Sequence, residues 1–138
     1  MIDIEVLGSG DAPTAPSEGE ILALCTRAAA SRGVSAGHVA IEFVDAERIA
    51  ALNREHRGKP EPTDVLSFPI DGATADTDLD DVEGPPRELG DIVICPAHTE
   101  DMREALLHGM LHLLGMDHEH DDGEMLALQH RLLGAGAR

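Results

Sequence analysis

Tryptophan and tyrosine are absent from this chain of 138 residues, and Phe43 and Phe68 are its only phenylalanines. With so few aromatic rings, the core has to be assembled from Leu, Ile, Val, Ala and Met. Cations are scarce too: 10 Lys and Arg stand against 27 Asp and Glu, a formal net charge of −17. That balance excludes the basic footprint of a nonspecific nucleic-acid binder. Any anionic substrate therefore requires local neutralisation, by a metal ion or a few arginines. Cys25 and Cys95 lie far apart in apolar segments, with no CxxC pair, which fits buried thiols in a reducing compartment. The opening "MIDIEVL" has neither the basic n-region nor the apolar h-region of a signal peptide. No apolar run reaches membrane-spanning length. The expectation is one cytoplasmic domain over residues 1–138 with no membrane partner.

Patterning predicts an α+β fold. Ile2, Ile4 and Val6 alternate with Asp3 and Glu5, the period of a half-buried strand, and "HVAIEFVD" repeats it. "DVLSFPI" reads as a third strand, with Pro69 marking a sheet edge, and "GDIVIC" as a fourth, closed by Pro96. Ser17 and Asp45 are placed to cap helices that stop at Gly33 and Gly58. "DGATADTDLDDVEGPPREL", residues 71–89, is acidic and aperiodic, and reads as a mobile surface loop. A helix over 99–114 and a last one in "DDGEMLALQHRLL" follow, with a fraying tail "GAGAR". The sum is a small mixed sheet of about four strands packed with helices.

Chemistry concentrates in "HGMLHLLGMDH", residues 108–118. On a wheel of about 100° per residue, His108 and His112 fall about 40° apart, beside Ala105 and Gly109. Leu106, Leu107, Met110, Leu111, Leu113 and Leu114 fill the opposite arc, so the apolar stripe is complete without the histidines. Imidazoles at i and i+4 can reach one cation. Gly115 permits a left-handed turn that swings His118 back towards them. Three neutral nitrogens with a fourth position open is the catalytic form of a zinc site, and Asp117 is placed to orient a ligand. His120 competes for the third place. His38, His56, His98 and His130 are isolated and read as structural or surface residues. Zinc peptidases with H-E-x-x-H carry their general base directly after the first histidine; here Gly109 stands there. Glu104, one turn earlier, lies near the histidine face.

Together with "RGKPEPTDVLSFPI" and "LGDIVICP", the histidine block resembles the YbeY family of bacterial rRNA-maturation endoribonucleases. The resemblance implies a zincin-like α+β fold, one zinc ion per chain, and cleavage of single-stranded RNA. It implies a part in 3′-end maturation of 16S rRNA and in ribosome quality control, with RNA and the ribosome or its proteins as partners. Its three metal ligands fall on His108, His112 and His118, and its functional arginine on Arg57. From position alone, Arg57 reads as a cation at the negative end of a helix dipole. A guanidinium near zinc also suits a phosphodiester transition state. Thr63 to Phe68 supply the strand bordering the cleft, with Ser67 as a polar contact. Arg54, Arg57, Lys59 and Arg87 are the basic residues near it. Both a metal-activated water and the RNA 2′-OH are compatible nucleophiles, and both zinc and nickel are compatible metals. The competing readings are a non-catalytic, metal-binding ribosome-assembly factor and, disfavoured by Gly109, a metallopeptidase. His108 follows Pro96 after 12 positions, a shorter segment than is usual in the family, and Met116 stands where an aromatic is usual.

Overall fold

The computed structural model describes residues 2–8, 15–34, 36–59, 61–70, 88–116 and 123–136, with residues 134–136 described for their backbone alone. Chain order is β1 (Ile2–Leu7), α1 (Glu18–Ser31), β2 (Gly37–Phe43), α2 (Ala46–Arg57), β3 (Val65–Pro69), β4 (Glu88–Ile94), a 3-10 turn (Pro96–His98), α3 (Met102–Leu113) and α4 (Glu124–Gly136). The strands form one mixed sheet in the order β1-β2-β4-β3. β1 and β4 run parallel to β2, whereas β3 pairs antiparallel with β4, Ser67 opposite Ile92. Pro69 therefore does lie on an edge strand, where its missing N–H costs no ladder bond.

Alternation along the strands divides the apolar side chains between two faces. Ile92 and Ile94 of β4 join Val39, Ile41, Leu107 and Leu111 in the larger core, beneath α1, α3 and α4. Val93 and Cys95 point the other way, to a smaller core closed by Ile49 of α2 and Leu66 of β3. The predicted caps are formed: Ser17 Oγ accepts from Glu20 N at 3.2 Å, and Asp45 Oδ1 from Arg48 N at 2.8 Å. α2 stops where Gly58 turns left-handed, φ +71, and sends its N–H to Arg54 O.

Three boundaries differ from the sequence pattern. β4 begins at Glu88, inside the predicted loop, because Glu88 pairs in register with His38 and Leu89 is fully buried; residues 71–87 of that loop, Arg87 included, lie outside the described residues. α3 starts at Met102 rather than residue 99. The 3-10 turn and Thr99, whose Oγ1 donates to Cys95 O at 2.7 Å, occupy the intervening chain, and Asp101 is the cap. α4 continues to Gly136 instead of fraying after Leu133. Leu132 is buried just before this last turn, and an anchored helix extends at one hydrogen bond per residue fixed.

α3 lies against β3 and β4, and Gly109 is what permits the close approach. A Cβ there would stand 2.9 Å from Ile92 Cγ2 and 3.3 Å from Val65 Cγ2. This contact sets the height of the histidine face above the sheet edge.

Candidate active site

His108 and His112 project from consecutive turns of α3, both half-buried. Their Nε2 atoms are 3.1 Å apart and the rings meet edge to face, centroids 4.7 Å apart. On the far side of His108, Nδ1 lies 3.0 Å from Oε1 of Gln129, a residue of α4 that is itself buried. An amide oxygen can only accept, so His108 donates from Nδ1 to Gln129, and its Nε2 is the nitrogen turned towards His112. Two ring nitrogens at this separation suit a shared zinc once neither carries a proton, since Zn–N bonds of about 2.0–2.1 Å place tetrahedral neighbours roughly 3.3 Å apart. The pair therefore fits a metal ion as donor chemistry. Among the described residues no set of three His, Cys, Asp or Glu completes such a site. His118, the expected third ligand, lies outside the described residues, as do Asp117 and His120. The preceding turn has the expected form, with Gly115 at φ +91.

The pair opens onto a cleft of about 970 Å³. Thr63 to Ser67 of β3 form one wall, the histidine face of α3 another, and Arg57 reaches in from the end of α2. Arg57 closes α2 before Gly58, the helix-end position read from the sequence, and also lines the cleft shared by His108 and His112. Carboxylates also line it, but two are occupied. Asp64 Oδ1 accepts from Val65 N at 2.8 Å, and Asp101 Oδ1 caps α3 through Arg103 N and Glu104 N at 3.0 and 3.2 Å. Glu100 and Glu104 line the cleft exposed. Gly109 is also in the lining, so the position of a peptidase glutamate is present but packed against the strands.

A family model described as Endoribonuclease YbeY matches residues 19–135. The chain belongs to the YbeY family. The Endoribonuclease YbeY of Bacillus cytotoxicus is 39% identical over 128 residues, covering 81% of each chain. That of Rubrobacter xylanophilus is 38% identical over 140 residues, covering 96% of this chain and 94% of its own. In three dimensions the chain is similar to the solution structure of the Thermotoga maritima protein TM1509, with TM-score 0.51 and 26% identity over 99% of this chain and 89% of that one.

Within this YbeY chain, four positions depart from the sequence reading or were missed by it. His98, read as isolated, lines the cleft, because the 3-10 turn after β4 folds it towards β3. Phe68, expected to border the cleft, instead packs with the smaller core on the opposite face of β3, since successive strand residues alternate. Gln129 was not singled out at all. Its signal was a lone amide in line with Met125 and Leu132, the buried face of α4. Asn53 carried the same kind of signal, one turn after Ile49 on α2. It is 4% exposed and its Nδ2 donates to Glu61 O at 2.9 Å, tying down the connection that follows Arg57. The other described histidines are structural or exposed: His38 Nδ1 meets Glu88 Oε2 at 2.8 Å, His56 packs at a tilt against Phe68, and His130 is exposed.

Proposed function

We propose that this YbeY-family chain is a zinc-dependent endoribonuclease acting on single-stranded RNA, with His108, His112 and His118 as ligands of one zinc ion and Arg57 as the residue that binds the scissile phosphate. Endoribonuclease action is the activity named throughout its curated relatives. The metal reading is carried by one observation, the convergence of two Nε2 atoms with the far nitrogen of His108 held by Gln129. The helix that bears the histidines behind an edge strand and its cleft supports a zincin-like arrangement. No helix among the described residues is long and apolar enough to cross a membrane. By family, the substrate we propose is the 3′ region of 16S rRNA, processed in the cytoplasm on or near the ribosome as part of its quality control.

Bound zinc supplies a Lewis acid for a phosphoryl oxygen and lowers the pKa of a coordinated water to about 7. The chain supplies the rest. Arg57 presents a planar fork of donors to two non-bridging phosphate oxygens, as a bidentate anion ligand does. Gln129 keeps His108 in the tautomer whose Nε2 can ligate. Glu104 and His98 are exposed in the same cleft. Peptide hydrolysis lacks its general base, because Ile92 and Val65 occupy the space a side chain at position 109 would need.

Elemental analysis of protein purified without added metal, followed by a cleavage assay on single-stranded RNA, tests this reading. About one zinc per chain is expected, with cleavage lost in His112→Ala and after chelation. Full cleavage by the variant overturns it.

A further inference from the structure

Where α2 ends, the molecule collects what it lacks elsewhere. Arg54, Arg57 and Lys59 fall within one stretch of six positions, and all three side chains are exposed, in a chain with only 10 Lys and Arg. His56 lies among them, also exposed, and its ring centroid is 4.6 Å from that of Phe68 with the planes at 55°. Phe43, the other phenylalanine, is 2% exposed. Among the described residues, the one other ring pair is His108 and His112 in the cleft.

The placement relates this pair to the site. Phe68 is half-buried against the smaller core, whereas its neighbour Ser67 lines the cleft on the other face of β3. β3 ends the sheet, so a polymer crossing its outer edge passes from the His56 ring, past Arg57, to the histidine face. A single nucleic-acid strand needs these two features together: cations for its phosphates and a π-face for an unpaired base.

We propose that His56, backed by Phe68, is a nucleobase-stacking subsite, flanked by Arg54 and Lys59, that seats an unpaired nucleotide beside the phosphate held at Arg57. The subsite rests on the RNA-cleaving reading above and deepens it. Phe68 fixes the His56 ring, so the base meets a preorganised surface. A base engaged in a duplex cannot turn onto that surface, so the subsite selects single strands. It also answers the charge problem: affinity comes from a local cationic strip and stacking, not from the overall field of the protein.

The test is fluorescence anisotropy of zinc-loaded protein with a labelled single-stranded oligoribonucleotide, alongside a set in which one base at a time is abasic. His56→Ala is expected to weaken binding about tenfold or more, and His56→Phe to restore it. One abasic position is expected to weaken wild-type binding similarly and to erase the difference between wild type and His56→Ala. Equal weakening of intact and abasic RNA by His56→Ala, or no weakening, overturns the subsite. If His112→Ala still abolishes cleavage in that case, the enzymatic reading survives without the subsite. Failure of the wild-type protein to bind RNA overturns both.

Discussion

The Nδ1 atom of His108 and the Oε1 atom of Gln129 stand 3.0 Å apart, joining helices across 21 positions of sequence. An amide oxygen accepts, so the contact favours a proton on Nδ1 of His108; under the proposed zinc site this leaves Nε2 as the ligand. Gln129→Leu keeps the volume and removes the acceptor. It is expected to lower zinc affinity by about 10- to 100-fold, measured by competition with a chromophoric chelator, with circular dichroism unchanged. Unaltered affinity would show that the amide does not orient the ligand.

Gly109 separates α3 from the sheet by the width of a hydrogen. Ile92, whose Cγ2 would meet the new Cβ at 2.9 Å, is fully buried and has nowhere to go. Gly109→Ala gains helix propensity of up to about 1 kcal/mol, but overpacking costs about 1–3 kcal/mol. A net loss of about 1 kcal/mol is expected in urea unfolding. A stabilised variant would mean that α3 can lift away from β3.

Arg57 faces the cleft from an exposed helix end, so its replacement leaves the core untouched. Arg57→Glu is expected to retain zinc content and melting temperature while reducing RNA cleavage below detection. Arg57→Lys keeps the charge but not the planar fork, and intermediate activity is expected. Undiminished cleavage by the glutamate variant removes Arg57 from the mechanism.

Cys25 is buried on α1, and burial pushes its thiol up to about 12. In the unfolded chain a thiol ionises near about 8.5. Below that pH both states hold the proton and stability is unaffected. As pH rises from there towards about 12, only the unfolded state releases it, so stability falls. With no tyrosine and Lys59 as the one lysine, few other side chains titrate in this window. Urea midpoints are expected to drop between pH 8 and pH 10.5, and to drop less in Cys25→Ala. An equally steep drop in that variant assigns the effect to other groups.

Strand alternation, the Ser17 and Asp45 caps, the Gly58 stop and the shared face of His108 and His112 were legible because each depends on neighbours within one turn or one pleat. The same local logic misplaced the start of α3. A helical period continues back to Thr99, but Thr99 bonds to Cys95 O, and to Asp64 O at 3.3 Å, and holds the chain in a different turn. It also misjudged His98, which looks isolated along the chain and shares a cleft with His108 in space.

By itself, then, the order of residues determined which elements form, which face of α3 carries imidazoles, and that no glutamate follows the first of them. Tertiary structure alone decided that Gln129 meets Nδ1 of His108, that Ile92 and Val65 crowd the space beside Gly109, and that Arg57 looks into the same cleft. Periodicity is a property of adjacent turns, whereas these contacts depend on how far one element approaches another. That distance is set by packing, side chain against side chain, across the whole core.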